Sequence, residues 1–462
     1  MQPSEAQRLF GTDGIRGVAG EFPLDDRTVA AFGRSLVFNL ARELGREPRI
    51  VVGRDTRESG PMIERALTQG ALSAEATVES AGVITTPGVA YITRVKSFDA
   101  GVVISASHNP YRDNGIKVFS PSGKKLGDQM ERRIETDLLS ATGGDSADPN
   151  QTKAEHGEAS QNGREVEYRE LYVDYLVQEA GRGLSLDGMR IAIDCANGAA
   201  FRIGPEVFRR LGAQLKVLSD QPDGRNINEG CGSLHLERLQ AEVVSRNLDL
   251  GVAFDGDADR ALFVDARGDI VDGDVTLLAL ADLFRARGWL KGDVVVATVM
   301  SNVGLEIALR ERGIELVRAP VGDRYVLEEL LSRGASLGGE QSGHIIFPEI
   351  SLAGDGLITA IELLRAVRES GRTLGQLARR MTRYPQVLVN VRVRGKPALE
   401  TLAGVKAEMD RLETELQGRG RLLVRYSGTE NLARVMIEGE DETSIKEQAH
   451  RLAAIIVEAI GE

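Results

Sequence analysis

Hydrophobic and polar positions along this chain follow two rhythms. Short apolar runs rich in β-branched residues, at 49–53, 100–104, 189–193, 215–218, 250–254, 293–299 and 315–318, read as strands. Between them apolar residues recur at helical spacing, over 61–80, 128–139, 202–211, 234–246, 275–287, 305–312 and 325–332. Strand and helix alternating at this interval predict α/β units. The rhythm changes near residue 386. Strands at 386–393, 422–426 and 433–438, with helices at 398–416 and 444–460, predict a small α+β domain. The stretch 141–164 has few apolar positions and reads as a linker or surface loop.

Each α/β unit ends one strand in a polar loop, where ligands of α/β sheets bind. The first loop is Ser105-Ala106-Ser107-His108-Asn109-Pro110, the second Asp255-Gly256-Asp257-Ala258-Asp259-Arg260, the third Gly339-Glu340-Gln341-Ser342-Gly343-His344. In the first, Ser107 offers a hydroxyl nucleophile beside the His108 imidazole, and a serine ester can be made and broken reversibly. Taken alone, a turn serine bonding its own backbone is the simpler reading. In the second, Asp255, Asp257 and Asp259 present carboxylates at alternate positions. Such groups repel unless a cation holds them, and a hard ion such as Mg²⁺ takes oxygen ligands. An EF-hand is excluded, since no glutamate stands at the twelfth position, and the apolar strands at 250–254 and 261–264 argue against a merely solvated acidic turn. Arg260 is placed to pair with a phosphate.

In the third loop Glu340 and Ser342 are natural partners for sugar hydroxyls or an amine, though a strand-terminating turn explains them equally well. A fourth loop, Arg425-Tyr426-Ser427-Gly428-Thr429-Glu430 with Arg434, gathers hydroxyls, backbone N–H groups and guanidiniums suited to an anion. Gly11-Thr12-Asp13-Gly14-Ile15-Arg16-Gly17 has the wrong glycine spacing for a dinucleotide loop. At Arg54-Asp55 a structural ion pair and a site role weigh equally.

Composition narrows the ligands. At 462 residues the chain predicts several domains. A net charge of −12 argues against a nucleic-acid surface while leaving room for a locally basic pocket. The apolar window 275–284 is too short for a bilayer and contains Asp282. Two cysteines, Cys195 and Cys231, read as reduced thiols, and the setting expected is cytoplasmic.

Taken together, Phe10 to Gly17, the serine loop followed by Asp113-Asn114-Gly115-Ile116-Lys117, the aspartate loop, the glutamate loop and the Arg425 loop occur in one order over nearly the whole chain. In these residues the sequence resembles the α-D-phosphohexomutase family. The resemblance implies three similar α/β domains with mixed sheets plus a smaller C-terminal α+β domain, around a central cleft. The borders expected are 1–160, 161–260, 261–380 and 381–462. It implies that Ser107 is the phosphoserine, that Lys117 is a general acid/base or neutralises phosphate charge, and that Arg16, His108 and Arg260 serve the same centre. Ser107, Asp255, Asp257 and Asp259 would hold one Mg²⁺ per subunit. Glu340, Ser342, His344 and Arg324 would grip the sugar, and Arg425, Ser427, Gly428, Thr429 and Arg434 the non-reacting phosphate.

A sugar 1,6-bisphosphate is the implied activator. Small sugar phosphates are the implied partners, with no nucleic acid or membrane, and a homodimer is the assembly to test. Glu340-Gln341-Ser342 and Val321-Gly322-Asp323-Arg324-Tyr325 resemble the amino-sugar branch, which interconverts glucosamine 6-phosphate and glucosamine 1-phosphate; a phosphomannomutase/phosphoglucomutase is the alternative. Three departures stand out. Asn431 replaces a usual proline, Tyr426 is less usual at its position, and 347–353 is less polar than in relatives, which would alter the rim of the sugar pocket.

Overall fold

The computed structural model describes residues 9–11, 13–142, 164–427 and 430–462. Most of the linker expected at 141–164, together with Thr12, Gly428 and Thr429, lies outside them. The described chain forms four sheets. The first is built from β1 (Phe10–Gly11), β2 (Gly14–Val18), β3 (Arg49–Arg54), β4 (Thr77–Val83), β5 (Ala100–Ile104) and β6 (Asp113–Phe119), in the order β1-β2-β6-β5-β3-β4. β3 runs parallel to β4 and β5, whereas β6 is antiparallel to β5 and β2, so the sheet is mixed.

The second sheet holds β7 (Arg190–Asp194), β8 (Gln214–Leu218), β9 (Leu250–Phe254), β10 (Ala261–Asp265) and β11 (Ile270–Val271), in the order β11-β10-β9-β7-β8. β9 and β10 pair antiparallel from Phe254↔Ala261 to Leu250↔Asp265. This hairpin crosses the border expected at residue 260, because the two strands either side of the aspartate loop satisfy each other's backbone groups. The third sheet orders β12 (Val294–Thr298), β13 (Glu315–Ala319), β14 (Gly338–Gly339) and β15 (Ile345–Ile346) as β13-β12-β14-β15. The fourth, β16 (Gln386–Arg392), β17 (Gly420–Tyr426) and β18 (Leu432–Gly439), is wholly antiparallel in the order β16-β18-β17.

By contacts the chain divides into two compact units, 1–299 with 317–378, and 300–316 with 379–462. In the first, β5 and β9 are buried at every position, as strands covered on both faces must be. Helix Asp26–Leu44 starts where Asp25 accepts from the Thr28 N–H and stops at Gly45 in the left-handed region. Helix Gly356–Ser370 starts at Asp355, which accepts from the N–H groups of Leu357 and Ile358. The second unit packs Val405 and Leu412 of helix Ala403–Leu416, and Ile445, Leu452 and Ile456 of helix Glu442–Ile460, against Val391, Val435 and Ile437 of the sheet.

One expected helix divides in two. The segment 61–80 is helix only over Gly60–Leu72; from Thr77 it is β4. The small residues of 71–76 carried the helical spacing past its end, and pairing of β4 with β3 decides the rest.

Candidate active site

Ser107 stands just beyond β5 with φ +53°, a left-handed conformation unusual for serine. Its surroundings hold it there. The Ser107 N–H donates to Ser105 Oγ at 2.9 Å, and Ser105 Oγ donates to Asp55 Oδ2 at 2.7 Å. The hydroxyl of Ser107 donates to Asp255 Oδ2 across from the second sheet, and lies 3.3 Å from His108 Nδ1. The two loops touch through their backbones as well. A Cβ on Gly256 would meet the Ser107 carbonyl oxygen at 2.4 Å, so no larger residue fits there.

Asp255, Asp257 and Asp259 each offer a buried oxygen within 4.8 Å of the others. Lys117, on β6 and 1% exposed, reaches Asp257 at 2.9 Å, Asp13 at 3.0 Å and Asp259 at 3.4 Å. Burial disfavours the Lys117 charge, but the three carboxylates outweigh it and hold its proton well above the usual lysine range. Asp255 goes the other way, raised by burial and by its neighbours Asp259 and Asp257. Asp259 is lowered: burial opposes ionisation, but Lys117 and His344 prevail. Oδ1 of Asp257 and Oδ1 of Asp259 are buried with no hydrogen-bond partner among the described residues. Three clustered carboxylates, two with orphaned oxygens, suit a hard divalent cation.

His108 is pushed down to about 4 by burial and by the Arg260 and Arg16 charges, so its imidazole is neutral near pH 7. Arg260 donates its backbone N–H to Asp255 Oδ1 at 3.1 Å, and its buried Nε, without a hydrogen bond among the described residues, lies 3.8 Å from Asp259 Oδ1. Arg16 pairs with Asp13. His344 lies between Asp259, 3.6 Å from Nδ1, and Asp323, 3.7 Å from Nε2. Gly354 presses on its ring, where a Cβ would come within 2.3 Å of Nε2. Glu340 accepts from the Gly322 N–H at 3.0 Å and from Ser342 Oγ at 3.2 Å. A cavity of about 230 Å³ opens beside His344, lined by Thr86, Lys125, Asp259, Asp323, Leu352 and Ala353. Its apolar wall includes part of the 347–353 departure.

In the second unit, Arg425 and Arg434 face each other in register on β17 and β18. Arg434 Nη2 lies 3.5 Å from Ser427 Oγ and 3.1 Å from Glu430. Lys396 donates to the Ser427 carbonyl at 2.7 Å.

Four family models cover the chain. Phosphoglucomutase/phosphomannomutase domain I matches residues 7–143, domain II 170–268, domain III 272–384 and the C-terminal domain 388–455. The chain is 50% identical over 458 residues to the phosphoglucosamine mutase of Solibacter usitatus, covering 99% of this chain and 100% of that one. This chain belongs to the phosphoglucomutase/phosphomannomutase family. It is a phosphohexomutase, an isomerase.

The phosphoglucosamine mutase of Caldicellulosiruptor bescii is 48% identical, over 97% of this chain and 98% of its own. Among solved structures the phosphohexomutase fold recurs in a phosphoglucomutase/phosphomannomutase family protein from Burkholderia thailandensis, with TM-score 0.78, 23% identity and 98% of each chain covered. It recurs in the Aspergillus fumigatus N-acetylphosphoglucosamine mutase in complex with GlcNAc-6P and magnesium, with TM-score 0.64, 19% identity, and 99% and 97% covered.

The first unit of this phosphohexomutase brings together Ser107, His108, Lys117, Arg260, His344 and the three aspartates. Arg16 joins through Asp13. Arg324 also lines the cavity beside His344, with its guanidinium paired to Asp128, Glu131 and Glu328. Gly428 and Thr429 lie outside the described residues. Sequence reasoning missed Asp13, Lys125, Asp323, Arg57 and Asn228. Lys125 bridges Asp13 and Asp323, the latter at 2.6 Å, and only the fold brings these segments together. Asp13 and Asp323 carried a signal, each sitting in a motif quoted with an arginine, Arg16 and Arg324.

Proposed function

We propose that this phosphohexomutase interconverts glucosamine 6-phosphate and glucosamine 1-phosphate through a phosphoserine at Ser107 and a 1,6-bisphosphate intermediate. The observation that carries the reading is the Ser107 hydroxyl bonded to Asp255, inside a cluster of three carboxylates, Lys117 and Arg260. Full-length identity to phosphoglucosamine mutases supports the sugar.

In the forward direction the bond between Ser107 Oγ and phosphorus breaks as a bond from phosphorus to the free sugar oxygen forms. The sugar hydroxyl loses its proton and Ser107 Oγ regains one. The bisphosphate turns over, and its other phosphoryl group returns to Ser107. Lys117, kept protonated by its carboxylates, suits the role of proton donor or positive partner better than that of a base. Arg260 faces the same centre, its Nε 3.8 Å from Asp259 Oδ1. Neutral His108 holds a nitrogen beside Oγ. Asp255, Asp257 and Asp259, with Ser107, would hold Mg²⁺, which when bound neutralises charge on a phosphoryl group. Glu340 and Ser342 would read the sugar, and Arg425, Ser427 and Arg434 its far phosphate. A sugar 1,6-bisphosphate would prime Ser107.

The proposal includes a cytoplasmic setting, in keeping with two buried free thiols, and a homodimer, which sedimentation would test. Among the described residues no helix is long and apolar enough to cross a membrane.

Initial rates on glucosamine, glucose and mannose phosphates, side by side, test the assignment. The expected result is a kcat/KM highest for the amino sugar, since a carboxylate rewards an ammonium more than a hydroxyl. Equal or higher kcat/KM on glucose or mannose phosphate would move the enzyme to the phosphoglucomutase/phosphomannomutase branch.

A further inference from the structure

The Ser107 peptide is held from two sides by groups that take no part in the chemistry above. Asn228, on the loop after β8, donates from Nδ2 to the Ser107 carbonyl at 2.9 Å and to the Asn109 carbonyl at 3.0 Å. Arg57 donates from Nη2 to the same two oxygens, at 3.0 and 2.8 Å. Arg57 is anchored in turn: Nε donates to Asp55 Oδ2 at 2.9 Å, and Nη1 to the Asp113 carbonyl at 2.9 Å. Asp55 also holds Ser105, which holds the Ser107 N–H. Asn228, Arg57, Asp55, Ser105 and Ser107 are all buried. The N–H and the carbonyl of Ser107 are thus both tied, and side-chain rotation is the freedom left to the hydroxyl.

Asn228 itself sits at φ +59°, and its N–H donates to the carbonyl of Ala196, also left-handed at φ +55°. Two strained loops therefore meet at the serine. Strained backbone persists only where surroundings over-determine it. Gly256 gives the same contact its closeness, because a Cβ there would come within 3.0 Å of Asn228 Nδ2.

We propose that Asn228 is a positioning residue for phosphoryl transfer: its amide, with Arg57, clamps the Ser107 and Asn109 carbonyls and so aims Ser107 Oγ at the aspartate cluster. This rests on Ser107 being the phosphoryl carrier. Arg57 is unsuited to the test, since removing it leaves Asp55 buried and unpaired. Asn228→Asp is better. It keeps the shape and replaces the donor with an acceptor facing two carbonyls. Asn228→Ala removes the group altogether.

Two quantities are to be measured on the full-length enzyme: the rate at which glucose 1,6-bisphosphate phosphorylates Ser107, followed by intact mass, and kcat and KM for glucosamine phosphate. Both variants should phosphorylate and turn over at least tenfold more slowly, Asp slower than Ala. KM should stay within twofold in both variants, although Asn228→Asp, which sets a buried acceptor against two carbonyls, should melt below the parent. A merely structural role would raise KM in proportion to the loss of kcat, and that pattern would overturn the proposal. So would an Asn228→Asp enzyme phosphorylated at the parental rate. If the parent enzyme itself takes no phosphate on Ser107, the carrier assignment fails instead, and the two failures are told apart by that control.

Discussion

Arg57 and the Arg425–Arg434 pair show two ways of using a guanidinium. Around Arg57 each nitrogen meets a carboxylate or carbonyl of the protein, and the side chain is fully buried beside Asp55. Across β17 and β18, two arginines stand opposite each other like for like. Arg425 is held below the usual arginine range by burial and by Arg434, and Arg434 Nε has no partner among the described residues. Like charges opposed on a sheet destabilise it. The serine loop is thus completed by the protein itself, whereas the hairpin sets like charges together, with Glu430 the carboxylate beside Arg434, an arrangement that an anion would relieve.

The aspartate cluster offers the largest test of that contrast, because it belongs to the completed region yet leaves oxygens orphaned. Asp257→Asn should lower kcat by roughly 10³-fold with the melting temperature nearly unchanged. EDTA should abolish turnover of the parent enzyme and Mg²⁺ restore it. An Asp257→Asn enzyme fully active without metal would dismiss the cation site.

Arg57→Ala should cost stability instead, about 3–5 kcal/mol by denaturant titration, since it strands a buried carboxylate and several carbonyls. If the variant melts like the parent, the loop is not held as described.

Arg434→Ala should do the reverse. KM for the sugar phosphate should rise roughly 10- to 100-fold, with kcat changed less than about threefold and stability within about 0.5 kcal/mol. A large loss of stability would make the hairpin arginines structural.

Asp355 sharpens the account of the buried region by its pH dependence. Its carboxyl is pushed up to about 6 by burial, against hydrogen bonds from Tyr172, Ile358 and Leu357. The unfolded chain ionises this group near 3.8, so between about 3.8 and 6 the folded state binds more protons and stability falls as pH rises. Asn at 355 keeps a capping oxygen and removes that loss. The pH-dependent part of its advantage should be near zero below 3.8 and reach about 3 kcal/mol above pH 6. Parallel stability-versus-pH curves for Asp355→Asn and the parent would refute the raised carboxyl.

The sequence made the strand ends legible and the distant contacts not. β5 and β9 are continuous apolar runs, and the loops that follow carry serine and aspartates at telling intervals, so Ser107, Asp255, Asp257 and Asp259 meet where a strand-end reading puts them. Lys117 was legible through its motif, but its proton state depends on Asp13 and Asp257, two segments that only the fold unites. Arg57 and Asn228 lie in unremarked turns, and their value is entirely in which carbonyls they reach. Arg324 was legible as a charge and 128–139 as a helix, but only the fold shows that the two meet at Asp128.

The left-handed backbone at residue 107 also bears on the proposed choice of carrier. Threonine has the same hydroxyl and would form the same kind of ester. Its branched Cβ, however, is poorly tolerated at φ +53°. The loop therefore admits one alcohol and rejects another of equal reactivity, so that shape, not nucleophilicity, selects serine at position 107.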